Sequence, residues 1–395
     1  MLAAMSFDAT RMLRDALAVL HPVRDIVDGR VEGMAEAPEW CERRGWTDAL
    51  LALSDDELPR CEEGRDAPGA LAAVEAEIAG LVRRLPSLEL RGSSPVLPRG
   101  VTPRKGRQLD ALLGGIQDMA TRAARIVDVG AGNGHFSHLA AARFRAEVVG
   151  LDRDPARVAT ARGVATPARF LAHDACREPL ALEPADLAVG LHACGEVGDR
   201  LIAAVAATGC DLALVSCCLQ KIGGASRAWM SRSAAEVPPL RREILGLANV
   251  TVRPWGVEVD LATLMAARET RLAVFHLLCA RGAAIRPGEE MRGINRRRAR
   301  AGLRELATLA LARRGWPPPT DQELAFHELE ARRIQGRIRR LSLPRDRLGR
   351  LVEVAVVLDR TAALQEAGAT VRVATLCERA VTPRNLAIFA SRRAP

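Results

Sequence analysis

The feature that most constrains the fold of this 395-residue chain is an alternation of short apolar runs and helical segments. The first run, Arg125-Ile-Val-Asp-Val129, ends in a glycine cluster, and a helix is predicted from there to about Arg143. Further short strands are predicted over residues 146–152, 168–172, 185–192 and 211–216. Strands that alternate with helices in this way are typical of a doubly wound parallel sheet, so the sequence predicts an α/β fold.

The alternation covers only part of the chain, and the rest divides by composition and helical spacing. The predicted segments are a helical N-terminal domain (1–90), a linker and lead-in helix (91–124), a core with the first five strands (125–260), a basic helical insertion (261–349), and a C-terminal helix with the last two strands (350–395). A Pro-rich break, Trp316-Pro-Pro-Pro319, is expected to interrupt the insertion.

Length and composition exclude several classes of protein. A chain of this length with 48% apolar residues can bury a core without disulfides or a structural metal. No stretch reaches the roughly 18 consecutive apolar residues of a membrane span, and the first 20 residues do not resemble a signal peptide. Nine cysteines without regular spacing suit a reducing compartment, so we expect a cytoplasmic protein with no membrane contact.

The glycine cluster Gly130-Ala131-Gly132-Asn-Gly134 follows an acid, Asp128, near the strand end. The spacing G-x-G-x-G departs from the G-x-G-x-x-G of dinucleotide-binding folds, because position 135 is histidine, and this disfavours a pyrophosphate ligand. Glycines let the backbone approach a ligand closely. A carboxylate at Asp128 suits a zwitterionic amino-acid group better than a diphosphate.

Two further acids follow the next two strands. Asp152 ends the second strand, 20 residues after Gly132, where a carboxylate can accept both hydroxyls of an unphosphorylated ribose. Asp174 lies just past the third strand and is placed to accept from an adenine amino group. Because parallel strands end at one edge of the sheet, these acids and the glycine cluster are expected to lie along a single ligand-binding edge.

Val127 to Phe136, together with Gly150-Leu-Asp152, resembles the class I S-adenosylmethionine-dependent methyltransferases. The resemblance covers about residues 101–260 and 351–395. It implies a seven-stranded Rossmann-like sheet whose last strand runs antiparallel, with S-adenosylmethionine as cofactor. The cofactor-binding residues it implies are Asp128, Gly130, Ala131, Gly132 and Gly134 at the amino-acid end, Asp152 at the ribose, and Asp174 at the adenine.

A narrower resemblance is to the methyltransferase subgroup with LHxCG and CC motifs. The matching runs are Leu191-His-Ala-Cys-Gly195, Ser216-Cys217-Cys218, Thr382-Pro-Arg-Asn385 and Val101-Thr-Pro-Arg-Lys105, the last similar to a Ser-Pro-Lys-Lys run. That subgroup includes a eukaryotic tRNA 2′-O-methyltransferase and a member fused to a glutathione-transferase-like domain. The chain departs from it at Leu219-Gln220, where an aromatic residue and a His or Gly are usual.

The candidate catalytic residues are His192, Cys217 and Cys218, because the fourth and fifth strands end there as neighbours. Methyl transfer needs a base only if the acceptor must lose a proton. His192 is the first candidate for that base or for substrate contact; the alternative is a core histidine bonded to a loop carbonyl. The cysteine pair could pack in the core, shape the acceptor pocket, join His192 and Cys194 in a metal site, or act as a covalent nucleophile. Adjacent cysteines are expected to chelate poorly, so no metal is predicted.

The positive charge of the chain, +9 overall, is concentrated in one segment. Residues 286–350 hold 17 basic and 8 acidic side chains, whereas residues 1–100 hold 12 and 18. The segment is therefore predicted either to contact structured RNA or to be a solvated helix face or one docked on the acidic N-terminal third. The arginines predicted to contact RNA are Arg296, Arg297, Arg298, Arg333, Arg337 and Arg340.

Scarce aromatic residues limit the kind of RNA contact. The segment holds only Trp316 and Phe326, and the chain has no tyrosine, so base stacking on single strands is not expected. The sequence thus predicts an S-adenosylmethionine-dependent methyltransferase with RNA as the leading acceptor. The alternatives are a protein or small-molecule methyltransferase, or a module that binds the cofactor without turnover.

Overall fold

The computed structural model describes residues 7–29, 36–86, 101–144, 146–247, 261–378, 382 and 384–391. The α-helices are α1 Ala9–Leu20, α2 Arg24–Asp28, α3 Glu39–Arg43, α4 Thr47–Leu51, α5 Glu57–Glu62, α6 Gly69–Arg83, α7 Pro103–Gly115, α8 Gln117–Arg122, α9 His135–Phe144, α10 Pro155–Arg162, α11 Gly195–Thr208, α12 Arg242–Leu247, α13 Leu261–Ala280, α14 Leu303–Ala312, α15 Asp321–Arg347 and α16 Gly349–Glu366. The strands are β1 Arg125–Val129, β2 Glu147–Asp152, β3 Arg169–Ala172, β4 Asp186–Ala193, β5 Asp211–Ser216, β6 Ser226–Arg227, β7 Leu240–Arg241, β8 Thr370–Thr375 and β9 Leu386–Ser391.

The main sheet has seven strands in the order β3-β2-β1-β4-β5-β9-β8. The first five strands of this sheet pair in parallel, and β9 pairs antiparallel with both β5 and β8. The predicted doubly wound α/β fold and the antiparallel last strand are confirmed. The order reverses between β1 and β4, which is the position where open parallel sheets bind their ligands.

Apolar side chains on both faces hold the sheet between helices. On one face, Leu112 of α7, Ile116 and Phe136 of α9 pack in a common cluster with Ile126 of β1 and Val189 of β4. On the other face, α11 and α16 lie against β4, β5, β8 and β9. Helix α16 is buried along nearly its whole length because α1, α11 and α12 also pack on it.

The chain forms two compact units, each built from separate segments. The first unit, which holds the sheet, comprises residues 1–24, 74–250 and 348–395, and the second comprises 25–73 and 251–347. The predicted separate domain over residues 1–90 differs from this division. The reason is packing: α1 lies against α16, whereas α4 and α5 lie against α15.

The second unit combines the acidic N-terminal segment with part of the basic one. Arg339 of α15 donates two hydrogen bonds to Glu62 at 2.9 and 2.7 Å. Arg340 donates to Asp55 at 2.8 Å and to the Leu53 carbonyl at 2.8 Å, and its side chain is only 14% exposed. Arg340 is therefore docked on the acidic segment, which was the alternative left open for it, and its contact with RNA stays a prediction.

The other arginines predicted to contact RNA differ in their surroundings. Arg298 and Arg333 have exposed side chains, whereas Arg337 is half-buried. The side chains of Arg296 and Arg297 lie outside the described residues.

Within the described ranges, no helix is both long enough and apolar enough to cross a bilayer. All nine cysteines lie in these ranges, and none of them forms a disulfide there.

Candidate active site

The loop between β1 and α9, residues 130–134, is named the glycine loop. Gly130 and Gly132 adopt left-handed φ values of 82° and 58°, which an L side chain rarely tolerates. A β-carbon built on either residue would meet no atom within 4 Å. These two glycines therefore border open space, and a side chain at either position would enter it.

Gly134 has a different role from the other two glycines. A β-carbon on it would collide with the ring of Phe170 and with His138, so this glycine allows close packing of the loop on β3. Its φ of 75° also requires glycine. Gly134 thus packs against Phe170 and His138, and the contact with the cofactor that the resemblance implied for it stays a prediction.

A cavity of about 380 Å³ opens at the carboxyl ends of β1 and β4. Of the predicted residues, Asp128, Gly130, Ala131, Gly132 and His192 line it. Its other lining residues are Lys105, Leu109, Asn133, His135, Phe136, Arg157, Leu191 and Cys194. The volume is in the range of small-molecule binding sites.

Asp128 is buried at the base of the cavity. The Ser137 hydroxyl donates to its Oδ2 at 2.6 Å. Burial raises the pKa of Asp128 to about 7, although the hydrogen bond from Ser137 and the charge of Lys105 oppose that rise. Burial in turn lowers the pKa of Lys105, which lines the same cavity. The acid is therefore poised to ionise when a cation enters.

Asp152 joins the glycine loop to the end of β2. Its Oδ2 accepts the Gly132 N–H at 2.8 Å, and its Oδ1 accepts the Asp154 N–H at 2.9 Å. The N–H groups of Gly130 and Ala131 donate to the Leu151 carbonyl at 2.8 and 3.0 Å. The carboxylate therefore has a fixed orientation, and each oxygen retains a lone pair for a further donor.

Asp174 follows β3 and is half-buried. Its Oδ1 accepts the Cys176 N–H at 3.0 Å, and its carbonyl accepts the N–H groups of Arg177 and Glu178 at 2.8 Å. The side chain thus caps a turn at the end of β3. The cavity lining does not include Asp174 or Asp152.

His192 occupies an irregularity of β4, where the pairing with β5 shifts register between Leu191 and Ala193. Its φ of 66° makes it the one non-glycine residue with positive φ in the described parts of the chain. Such a conformation costs a histidine about 1–2 kcal/mol, and strain of this kind is concentrated at functional sites. This strained backbone makes His192 a candidate functional residue independently of its sequence motif.

The His192 ring is held by the lead-in helix α7. Its Nε2 lies 3.0 Å from Gln108 Oε1, and Gln108 is itself buried. Burial lowers the pKa of His192 below its usual range; Cys194 opposes this shift, and the charges of Lys105 and Arg104 add to it. The imidazole is therefore neutral at pH 7.

The cysteines at the ends of β4 and β5 come together, as their neighbouring strands predicted. Cys194 Sγ lies 2.8 Å from Cys217 Sγ, and the two sulfurs lie 3.1 and 3.4 Å from the His192 carbonyl oxygen. Cys218 brings its sulfur into the same group, in which all three sulfurs lie within 4.8 Å of one another. Only Cys194 of the three lines the cavity.

Sequence reasoning gave no site role to Lys105 and Gln108, which both lie on α7. The run Val101-Thr-Pro-Arg-Lys105 was the available indication, because it resembles a motif of the methyltransferase subgroup. No rule of spacing connects a helix at residues 103–115 with a strand that ends at residue 193. The position of α7 beside the cavity and His192 emerges only from the fold.

Comparison with known proteins agrees with this geometry. Residues 104–225 match the family model Methyltransf_32, described as a methyltransferase domain. Over these residues the chain is similar to a methyltransferase domain. The match begins in α7 and includes the glycine loop, Asp152, His192 and the Cys217-Cys218 pair. The helix that carries Lys105 and Gln108 is thus largely part of the methyltransferase domain.

Solved structures similar to this chain carry methyltransferase names. A TehB-like S-adenosylmethionine-dependent methyltransferase from Corynebacterium glutamicum is 22% identical over 27% of this chain and 60% of its own, with a TM-score of 0.23. An amino pentose methyltransferase from Micromonospora echinaspora is 28% identical over 30% and 52%, with a TM-score of 0.24. Magnesium protoporphyrin IX methyltransferase from Synechocystis is 18% identical over 30% and 61%, with a TM-score of 0.24.

The methyltransferase domain accounts for part of the chain only. The chain spans 52–61% of the length of these three structures. No curated protein matches the sequence.

Proposed function

We propose that the protein transfers the methyl group of S-adenosylmethionine to RNA. The observation that carries the proposal is the arrangement of Asp128 and the glycine loop along one cavity, with Asp152 bonded to the Gly132 N–H of that loop. It supports a ligand with an ammonium group at one end and a ribose at the other. The sulfonium sulfur would lie between them, and the acceptor atom would approach its methyl group from the side of His192 and the ends of β4 and β5.

The residues present fit this cofactor. A buried carboxyl group at Asp128 suits an ammonium ion, and the open space over Gly130 and Gly132 lets the ligand pass close to the backbone. The lone pairs that remain on the Asp152 carboxylate suit two ribose hydroxyls. S-adenosylmethionine supplies an electrophilic methyl group on a sulfonium sulfur. The chain contributes mainly by holding donor and acceptor in line, which in favourable cases is worth about 7–11 kcal/mol.

His192 is the residue that would take a proton from the acceptor. Its ring is neutral at pH 7, it lines the cavity, and Gln108 fixes its orientation. A neutral imidazole can accept the proton of a hydroxyl acceptor such as a ribose 2′-hydroxyl, whereas an imidazolium cannot. The role is proposed only for acceptors that lose a proton during transfer.

Exposed arginines of the second unit support RNA as the acceptor. Arg298 and Arg333 are 61% and 68% exposed, and each pairs with a neighbouring carboxylate, Glu305 or Glu330, on the surface. Exposed pairs of this kind are worth about 0–1 kcal/mol, so a phosphate can compete for the guanidinium. The arginines would contact RNA phosphates and recognise the shape of the RNA, because the chain has few aromatic residues on which bases could stack.

Cofactor binding is tested by calorimetry with S-adenosylhomocysteine on the full chain. We expect Asp152→Ala to weaken binding by about a hundredfold, because charge-assisted hydrogen bonds of about 1.5–3 kcal/mol are removed. The matched control is Asp154→Asn, which changes a half-exposed acid two residues away and retains the cap of α10. Equal affinities of the wild type and Asp152→Ala would show that the ribose lies elsewhere.

The acceptor is tested with S-adenosylmethionine labelled in its methyl group and extracts of total RNA and total protein. Label in RNA supports the proposal, and label in protein alone would replace RNA by a protein acceptor. Label in neither fraction, with S-adenosylhomocysteine still bound, would indicate a module without turnover.

The RNA surface is tested by charge reversal. Arg298→Glu with Arg333→Glu is expected to weaken RNA binding and to reduce the slope of log affinity against log salt by about 0.7–0.9 for each phosphate that is no longer neutralised. The control is Arg177→Glu, an exposed arginine of the first unit. An unchanged salt slope would show that these arginines do not touch RNA.

A further inference from the structure

Three thiols meet where β4 and β5 end, and we call Cys194, Cys217 and Cys218 the cysteine cluster. We propose that the cysteine cluster is a binding site for Zn²⁺. The inference starts from the position of the sulfurs, which all lie within 4.8 Å of one another on two adjacent loops. Thiolate sulfur is a preferred ligand of zinc and a poor one for magnesium or calcium.

The distances fit a metal with a small adjustment. Zinc–sulfur bonds of about 2.3 Å at tetrahedral angles place two sulfurs about 3.8 Å apart. The Cys194 and Cys217 sulfurs are 2.8 Å apart, so this pair must open by roughly 1 Å to receive the ion. The separation is also longer than the bond of about 2.0 Å in a disulfide.

Adjacent cysteines chelate poorly within a strand, because successive side chains point to opposite faces. Cys217 and Cys218 do not lie within a strand, because β5 ends at Ser216. The chain then turns: the Leu219 N–H donates to the Cys217 carbonyl and the Lys221 N–H donates to the Cys218 carbonyl, both at 3.1 Å. The turn allows both thiols to reach Cys194.

The two loops are held together by interactions other than those of the cysteines themselves. The Glu196 N–H donates to the Lys221 carbonyl at 2.9 Å, and a β-carbon at Gly195 would collide with that carbonyl. Arg360, wholly buried, donates to Ser216 Oγ at 2.5 Å and to the Gly195 carbonyl at 2.7 Å. The residues next to Cys194 and Cys217 are therefore fixed, and the cluster is preorganised for a ligand.

Zinc binds the thiolate form of cysteine, so a cation that entered the cluster would displace the protons of the thiols.

The cluster offers three protein ligands and faces the cavity through Cys194. Three protein ligands with a fourth position open are typical of zinc sites that take part in chemistry rather than in folding alone. We infer that the fourth position takes water or the nucleophilic atom of the acceptor. This last step rests on the proposed function, whereas the metal site does not.

The test measures metal directly on the full chain purified under reducing conditions without chelator. Mass spectrometry of the elements is expected to find one zinc ion per chain. Chelated protein titrated with Co²⁺ in the absence of oxygen should develop sulfur-to-cobalt charge-transfer absorption and tetrahedral cobalt bands. The variants Cys217→Ser and Cys218→Ser should lose the bound zinc and the cobalt absorption. The control is Cys279→Ser, which changes a half-buried cysteine of α13 outside the cluster and should retain the zinc and the absorption.

Binding of S-adenosylhomocysteine keeps the variants interpretable, because Cys217 and Cys218 do not line the cavity. Variants that bind it but lack zinc would support the site. Wild-type protein with free thiols, no zinc and no cobalt absorption would overturn the proposal, as would a Cys194–Cys217 disulfide in the freshly purified chain. If the proposed function is wrong and the metal site is right, the wild-type chain should hold zinc but fail to bind S-adenosylhomocysteine.

Discussion

At the scale of single residues, Asp128 links the cofactor site to pH. Its carboxyl group is buried beside Ser137, Lys105 and Asp152, and its pKa is raised to about 7, with burial as the main cause. An ammonium group placed against it is bound better by the carboxylate than by the neutral acid. Binding and ionisation are therefore coupled.

We expect the affinity for S-adenosylhomocysteine to rise about tenfold from about pH 6 to about pH 8, because the ionised fraction of Asp128 rises over that range. Calorimetry in buffers of different ionisation enthalpy should show proton release on binding at the lower pH. Asp128→Asn should bind weakly at every pH. A wild-type affinity independent of pH would contradict this assignment.

In the protein without ligand, ionisation of Asp128 lowers the free energy of unfolding, whereas it favours ligand binding. Because its pKa is higher when folded than the ordinary value of 3.8, the folded state binds more protons than the unfolded state between the two pKa values. Its contribution to the free energy of unfolding is therefore largest at low pH and is lost as the pH rises through about 7.

Residues near a strand end could be predicted from spacing, and residues from a distant helix could not. Asp128, Gly130, Gly132 and Asp152 follow parallel strands at short intervals, so one edge of the sheet brings them together. Gln108 reaches His192 across 84 positions of the chain. The sequence contains no periodicity that relates those two residues.

At the scale of elements, α16 carries a buried charge network. Its residues Asp359 and Arg360 are fully buried. Arg360 donates to Asp199 of α11 at 2.9 Å, and Asp359 accepts from Arg227 of β6 at 2.9 Å. These bonds tie α16 to α11 and to β6.

We expect Arg360→Met to lower the free energy of unfolding by about 3–5 kcal/mol, because Asp199 then loses a buried partner. The measurement is urea denaturation followed by circular dichroism. Arg372→Met, which removes an exposed arginine stacked on Phe389, should cost at most about 1 kcal/mol. Equal effects of the two substitutions would mean that the network does not stabilise the fold.

The sequence predicted the strands of the main sheet and the C-terminal helix from local patterns, but it did not predict the buried charge network. Short apolar runs predicted the first five strands of the main sheet, and a helix was predicted ahead of the last two strands, where α16 lies. A charged pair inside a helix normally indicates a solvated face. Its burial here depends on Asp199 and Arg227, which come from elements more than 130 positions away.

At the scale of the whole molecule, the charge of the chain is partly neutralised by folding. The acidic segment that contains Asp55 and Glu62 joins the basic helix α15 in the second unit. The sequence left open whether the arginines were docked or solvated, because both arrangements have the same helical spacing. Arg339 and Arg340 are docked, whereas Arg298 and Arg333 are exposed.

The two units are expected to respond differently to the cofactor product. S-adenosylhomocysteine at a hundred times its dissociation constant should stabilise the folded state it binds by about 2.7 kcal/mol. Hydrogen exchange should slow in residues 125–152 of the first unit and remain unchanged in residues 303–347 of the second. Slower exchange in the second range would show that the ligand also binds there or is coupled to it.

The position of β9 between β5 and β8 has a consequence for biosynthesis. On the ribosome, β5 emerges long before the strand that covers its edge, and residues 251–347 of the second unit are translated in the interval. The edge of β5 therefore stays unpaired in the nascent chain until β9 has been synthesised. Ribosome pausing or premature termination before residue 386 should thus yield aggregation-prone fragments that require chaperones.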